Sequence, residues 1–229
     1  MTHPLLASFD WQFIWDHRSD FWEGLKATLK VSAIGILGSL ALGITLGAAR
    51  AHKLPVIRWL AAIYVEVIRN TPILVQILFL ALALPHIPGH PVVLEPFTIA
   101  WLSVTIWGGA YNTENFRAGF EAVPFRYREA GLALGFSRFK TFLNVTLPIG
   151  GRIALPSSIN TYISVLKNTS LLTAIGFAEL TNTAYTLESV SFKATEIYFT
   201  LGAIYLVVVW SLSTLIRLLE RKLRLPETR

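Results

Sequence analysis

The chain has 229 residues, 53% of them hydrophobic and only 15% charged, with a formal net charge of +6. Soluble domains carry about 25% charged residues, so the long apolar runs of this chain read as membrane spans rather than as one soluble core. No cysteine is present, which excludes disulfides, thiolate chemistry and Cys-based metal sites. The first 26 residues hold Asp10, Asp16, Asp20 and Glu23 and lack a basic leading region, so no cleaved signal peptide is expected.

Five segments are apolar over the length a bilayer crossing needs, about 20 residues. They lie near Thr28–Ala48, Val56–Leu84, Phe97–Phe116, Ile153–Phe177 and Ile197–Leu218. The fold class expected is therefore all-α, an integral membrane helical bundle of about five transmembrane helices. The second segment is too long for one straight span and contains Pro72, which removes a helix hydrogen bond and clashes with the preceding turn. It is expected to be a kinked helix, or a helix followed by a re-entrant piece, with residues 84–91 as an outer loop.

Lys and Arg set the orientation. Arg50, Lys53 and Arg58 lie at the first connection. Arg117, Arg126, Arg128, Arg138, Lys140 and Arg152 lie at the third, and Arg217, Arg221, Lys222, Arg224 and Arg229 in the tail. The opposite side holds only Arg18, Lys26 and Lys193. This bias expects the N-terminus outside and the C-terminus in the cytoplasm. No internal repeat or linker divides residues 1–229, so a single domain is expected.

The cytoplasmic connection, about residues 117–152, reads as structured. Pro124 can open a helix, Glu129 and Ala130 continue it, and Gly135 can end it in a left-handed conformation. Ser137 is a candidate N-cap for a second short helix running to Thr146, before Pro148. Two readings of this helix–Gly–helix elbow stand: an interfacial connector, or a docking element for a partner.

Polar residues inside the apolar runs need a reason, since an ionisable group at bilayer depth costs about 2.5–3.5 kcal/mol on insertion scales. Lys30 can snorkel. Glu66 and Arg69, three apart, can pair with each other, although Arg69 also precedes the Pro72 break, where freed backbone groups usually line a cavity. Asn160, Ser164 and Lys167 stand at i, i+4 and i+7 with Asn168 beside them, a polar stripe on one helix face. Lys167 lies about fourteen residues along the fourth segment, roughly mid-membrane. Such a stripe is either interhelical glue or the wall of a wet pathway; the lysine favours the pathway. His86 and His90 are kept apart by Pro88 and Gly89, so no metal site is expected. No P-loop, nucleophile elbow or zinc-protease motif occurs, so the chain is not expected to be an enzyme.

Several of these motifs carry a resemblance. Residues 127–135, Tyr-Arg-Glu-Ala-Gly-Leu-Ala-Leu-Gly, running on to Thr146-Leu-Pro148, resemble the EAA coupling loop of ABC-importer permeases. From Glu66 to Ala184 the chain is similar to the polar amino-acid permease family of bacterial ABC importers. The similarity rests on Glu66 to Pro72 with Leu74 and Gln76, on Tyr111, Glu114, Arg117, Gly119 and Pro124, and on Arg152, Pro156, Asn160 and residues 167–171 through Glu179. The chain departs from the family pattern at Arg126-Tyr127-Arg128, at Gly131 and at Ile149.

The resemblance implies a multi-pass permease subunit in the bacterial inner (cytoplasmic) membrane, moving a polar amino acid by alternating access and needing no cofactor. It implies a dimer of cytosolic ABC ATPase subunits, a second permease subunit (identical or paralogous) and a periplasmic or extracellular substrate-binding protein, with no nucleic acid. Glu129, Ala130, Gly131, Gly135, Leu147 and Pro148 would form the coupling site. Arg69, Thr71, Gln76, Asn160, Ser164, Lys167 and Asn168 are the candidate substrate pathway. Residues 220–226 resemble some glutamate/aspartate-type permeases, a lean towards a glutamate, aspartate or glutamine substrate. The rivals are an ion-driven secondary carrier and a non-transporting scaffold.

Overall fold

The computed structural model describes residues 9–52 and 55–223, with side chains as far as residue 218. Of the basic residues that orient the chain, Lys53, Arg224 and Arg229 lie outside the described residues, as do the side chains of Arg221 and Lys222 and much of the 220–226 segment. Every regular element described is helical. In chain order they are α1 (Trp11–Asp16), α2 (Arg18–Ala51), α3 (Pro55–Arg69), α4 (Ile73–Leu78), α5 (Pro96–Glu121), α6 (Phe125–Ala133), α7 (Arg138–Thr141), α8 (Leu147–Asn168), α9 (Leu180–Ser191) and α10 (Ala194–Leu223). A π turn and a 3₁₀ turn extend α4 to His86, a π turn (Phe142–Thr146) joins α7 to α8, and a 3₁₀ segment (Thr169–Ile175) follows α8.

The centre of the bundle is the pairing of α2 with α5. The buried face of α2 carries Thr28, Ser32, Gly35, Ser39, Gly43 and Gly47, a seam of small residues. Small side chains let two backbones approach closely where lipid supplies no hydrophobic drive between helices. A Cβ on Gly43 would sit 2.5 Å from Asn112 Cβ, and one on Gly35 would sit 2.6 Å from Val104 Cγ2. Around this seam Val31, Ile77, Ile99, Val104, Val165 and Leu172 form one apolar cluster drawn from α2, α4, α5, α8 and the 3₁₀ segment.

The helices α2 and α10 are long and apolar enough to cross a membrane alone, and the α3–α4 pair adds a third if it is one span. Helices α5 and α8 have 26 and 22 residues, about 39 and 33 Å, which is long enough, but they hold more polar groups. The second segment bends by 105° between α3 and α4. Pro72 is the cause: it has no N–H to donate and it disfavours helical geometry at Thr71.

Two expectations need correcting. The second elbow helix does not stop before Pro148. Its π turn runs directly into α8, with the Leu147 N–H bonding five residues back to the Phe142 carbonyl. That wider turn lets the chain pass a proline near the start of α8 without a break. The fourth segment starts at Leu147 rather than Ile153 and ends at Asn168, so Lys167 lies in the last turn of α8 and not at its middle. A cation there is favoured by the negative end of the helix dipole.

Neither α1 nor α9 was legible in the hydrophobic pattern. The first is capped by Asp10, whose carboxylate accepts from the Phe13 N–H at 3.0 Å. The second is capped by Glu179, a carboxylate with 0% exposure that accepts from the Thr181 and Asn182 N–H groups at 2.9 and 2.8 Å. Buried carboxylates survive only when their oxygens are filled, and Thr28 and Tyr205 also donate to this one. With α9 in place, Leu180 and Ala184 pack on Phe21, Ile197 and Leu201 at the end of the bundle away from the elbow.

Candidate functional site

The elbow is built much as its residues demand. Helix α6 begins after Pro124, which stands as the N-cap rather than inside the first turn. Gly135 takes φ 82°, and the Phe136 N–H bonds back to the Gly131 carbonyl at 3.1 Å, the closure that glycine permits at a helix end. Ser137 caps α7 by accepting from the Lys140 N–H at 3.3 Å. Gly131 is buried, and a Cβ there would meet Thr141 Cγ2 at 3.0 Å. The missing methyl lets α6 lie close on α7, so the departure from alanine serves the packing of the elbow.

The elbow exposes large apolar side chains among Arg126, Glu129, Arg138 and Lys140. Phe125, Leu132, Leu134 and Phe139 are 69, 47, 76 and 69% exposed, and Glu129 and Ala130 are exposed among them. Leu147 is half-buried and packs on Phe116, Phe120 and Ala154, whereas Pro148 is exposed. This capped pair of helices, with apolar side chains exposed beside charged ones, is a surface that a partner or the membrane interface would cover.

Above the elbow an ion network ties four side chains together. Arg50, in the last turn of α2, pairs with Glu114 of α5. Arg117 pairs with Glu114 at 2.8 Å and with Glu121 at 2.6 Å. Sequence reasoning took Glu114 and Arg117 only as part of a resemblance and did not connect them to Arg50. The spacing of Glu114, Arg117 and Glu121 at i, i+3 and i+7 was the available signal; the contact with α2 is tertiary.

The expected pathway residues divide into two groups, and no hydrogen bond or ion pair joins one group to the other among the described residues. In the first, Gln76 Nε2 donates to the Ile68 and Thr71 carbonyls at 2.9 and 3.1 Å and to Thr71 Oγ1 at 2.9 Å. These bonds satisfy the end of α3 that the Pro72 break leaves open. Thr71 and Gln76 also line a cavity of about 420 Å³ with Phe79, Ser103 and Ile106, but its walls are mainly apolar because the amide nitrogen is turned into the break. Arg69 does not pair with Glu66. Its guanidinium stands over the Tyr111 ring at 5.0 Å, and Glu66 accepts from Asn70 instead, at 3.0 Å. Lys30 similarly stands over the Phe97 ring at 4.7 Å.

In the second group Asn160 and Lys167 are exposed and Ser164 and Asn168 half-exposed on α8. No side-chain hydrogen bond or ion pair holds any of the four within the described residues. The opposite face of α8 carries Ala154, Ser158, Tyr162, Val165 and Leu166 into the core. A polar, unpartnered face on a helix of crossing length requires water, a substrate or another chain beside it. No group of His, Cys, Asp or Glu among the described residues could hold a metal ion.

Known transport proteins resemble the chain along most of its length. Residues 39–225 match the family model described as "Binding-protein-dependent transport system inner membrane component". The glutamine transport system permease protein GlnP of Escherichia coli (strain K12) is 38% identical, over 95% of this chain and 99% of that protein. The L-cystine transport system permease protein TcyB of Bacillus subtilis (strain 168) is 33% identical, over 91% of each. The crystal structure of an amino acid ABC transporter with histidines superposes with a TM-score of 0.83 at 30% identity, covering 94% of this chain and all of that one.

Proposed function

The chain belongs to the binding-protein-dependent transport system inner membrane components, and from that premise we propose how its two surfaces divide the work of import. The protein is an inner-membrane permease subunit of an ABC transporter, without ATPase chemistry of its own, and works with a cytosolic ATPase and a substrate-binding protein. The elbow around Glu129–Gly135 is the ATPase docking element, and the polar face of α8 lines the substrate pathway. The observation that carries the first assignment is the rigid elbow, with Phe125, Leu132, Leu134 and Phe139 exposed around Glu129.

Because α6 and α7 are fused through the π turn to α8, closure of two ATPase subunits would move α8 and its polar stripe together. One copy of this bundle leaves that stripe open, so two permease subunits face each other across one pathway. The substrate class is a polar amino acid, with glutamine favoured by the glutamine permease relative. Its α-carboxylate would be met by Arg69 or Lys167, the cations at the two polar groups. The Lys and Arg distribution supports an outside N-terminus and a cytoplasmic elbow.

The test is a mild-detergent pull-down of the tagged chain from its native membrane, with Glu129→Lys beside it. The wild type should bring down a cytosolic ATPase and the variant several-fold less. Equal recovery with both would remove the docking role from the elbow's Glu129 face, and no ATPase with either would overturn the importer assignment.

A further inference from the structure

The elbow touches the body of the bundle at few points, and one of them is a side chain that departs from the family pattern. Arg128, on the inward side of α6, donates from its Nη2 to the Phe120 carbonyl at 2.5 Å. That carbonyl is in the last turn of α5, where its i+4 partner would be residue 124. Residue 124 is a proline and has no N–H, and the backbone donors left to it within the described residues are the Val123 N–H at 3.4 Å and the Ala122 N–H, which is shared with the Ala118 carbonyl. A guanidinium fills the gap, and its charge is favoured at the negative end of the α5 dipole.

The surroundings make this a joint of several helix ends. Phe120 has 0% exposure and meets the Phe142 ring edge-on, centroids 5.4 Å apart. Phe142, in the π turn, also meets His52 edge-on at 5.0 Å. His52 caps the end of α2, and the Arg128 charge adds to burial in holding its imidazole below the ordinary value. So the ends of α2 and α5 and both halves of the elbow converge on one cluster. The Arg128 Nε is buried within it without a partner; the guanidinium is fixed here at the cost of an unmet donor. Arg128 and Glu129 are adjacent on α6, one turned into the joint and the other exposed on the docking side.

We propose that Arg128 is a positioning residue that pins the elbow to the end of α5, so that motion imposed on the docking face is passed to α5 as well as to α8. The inference rests on the importer reading above. Without the pin, α6 meets α5 directly only at the Val123–Pro124 turn and otherwise through the Phe120–Phe142 contact of the π turn, so a docked ATPase could rock α6 with less of the motion reaching α5.

The experiment uses the complete complex, permease with its ATPase and binding protein, reconstituted in liposomes. Amino-acid uptake and ATP hydrolysis are measured together for wild type, Arg128→Gln and Arg128→Lys, and glutamine is the substrate probe. Arg128→Gln should recover the ATPase as wild type does and continue to hydrolyse ATP. Its uptake per ATP should fall about tenfold, the scale set by losing one charge-assisted hydrogen bond. Arg128→Lys, which keeps a charged donor, should restore most of that ratio. A wild-type ratio in Arg128→Gln overturns the inference. So does failure of Arg128→Lys to exceed Arg128→Gln, or loss of the ATPase from Arg128→Gln, which would put Arg128 in the docking face or in folding. Absence of coupled uptake in the wild type would instead overturn the importer reading, and the inference with it.

Discussion

Single side chains in this protein matter most where a charge stands beside an apolar environment. Lys167 is the clearest case, exposed on α8 without an ion-pair partner among the described residues. If it meets the substrate carboxylate, Lys167→Met should slow uptake by about tenfold or more, since a hydrogen bond to a charged group is worth roughly 1.5–3 kcal/mol. ATPase recovery should be unchanged. Uptake at the wild-type rate by that variant would exclude the role. Arg69 has a different setting. The Tyr111 ring already offers its face to the cation, an interaction of about 0.5–2 kcal/mol, so a substrate at Arg69 would bind alongside an occupied group.

At the scale of elements, the bend between α3 and α4 depends on one amide. Gln76→Ala removes three hydrogen bonds from the Pro72 break, leaving the Thr71 carbonyl open and the Ile68 carbonyl with only the long Thr71 Oγ1 bond at 3.5 Å. The expected loss is about 1–3 kcal/mol, and the thermal midpoint in detergent should fall by about 2–4 °C for each kcal/mol lost. An unshifted midpoint would mean that water closes the break equally well. The end of the bundle away from the elbow has a pH-sensitive tie. Asp10 pairs with Lys193 at the start of α10, and that hydrogen bond is the main cause holding its carboxyl below the ordinary value. Because the folded-state value is the lower one, the tie is complete above the ordinary carboxylate range and is lost as pH falls through the depressed value. Hydrogen exchange of the α1 amides, corrected for its intrinsic pH dependence, should therefore accelerate as pH falls below the ordinary carboxylate range. Asp10→Asn should show the faster exchange already at neutral pH, and equal protection in the two proteins would show that α1 docks without the pair.

For the whole molecule, the proposed orientation can be tested directly, because the sequence contains no cysteine. A single cysteine at His90, in the connection before α5, should react with a membrane-impermeant maleimide in intact cells. One at Leu134, 76% exposed at the tip of the elbow, should react only after the membrane is opened. The reverse pattern would place the elbow outside and rule out its meeting a cytosolic ATPase. The distribution of exposed surface also points to a multi-chain assembly. The apolar flank of α10, with Leu206, Val207, Trp210 and Leu215 exposed, suits lipid, whereas the Asn160–Lys167 face of α8 does not.

What the sequence determined by itself was whatever depends on neighbours along the chain. Apolar run length pointed to the helices α2, α5, α8 and α10 and to the α3–α4 pair, Pro72 located the break, and Gly135 and Ser137 set the elbow, because helix ends and turns are decided within a few residues. Local rules also misplaced things at the margins: the π turn carried the chain past Pro148, and the true start of α8 moved Lys167 to a helix end. Only the tertiary structure decided the rest. It brought Arg50 to Glu114, turned Gln76 into the Pro72 break, buried Glu179 among Thr28 and Tyr205, and set Arg128 against the Phe120 carbonyl. The physical reason is that these partners lie on different helices or across a bend. Arg50 meets Glu114 because the small-residue seam lets α2 and α5 approach closely, and no spacing along one helix records that distance.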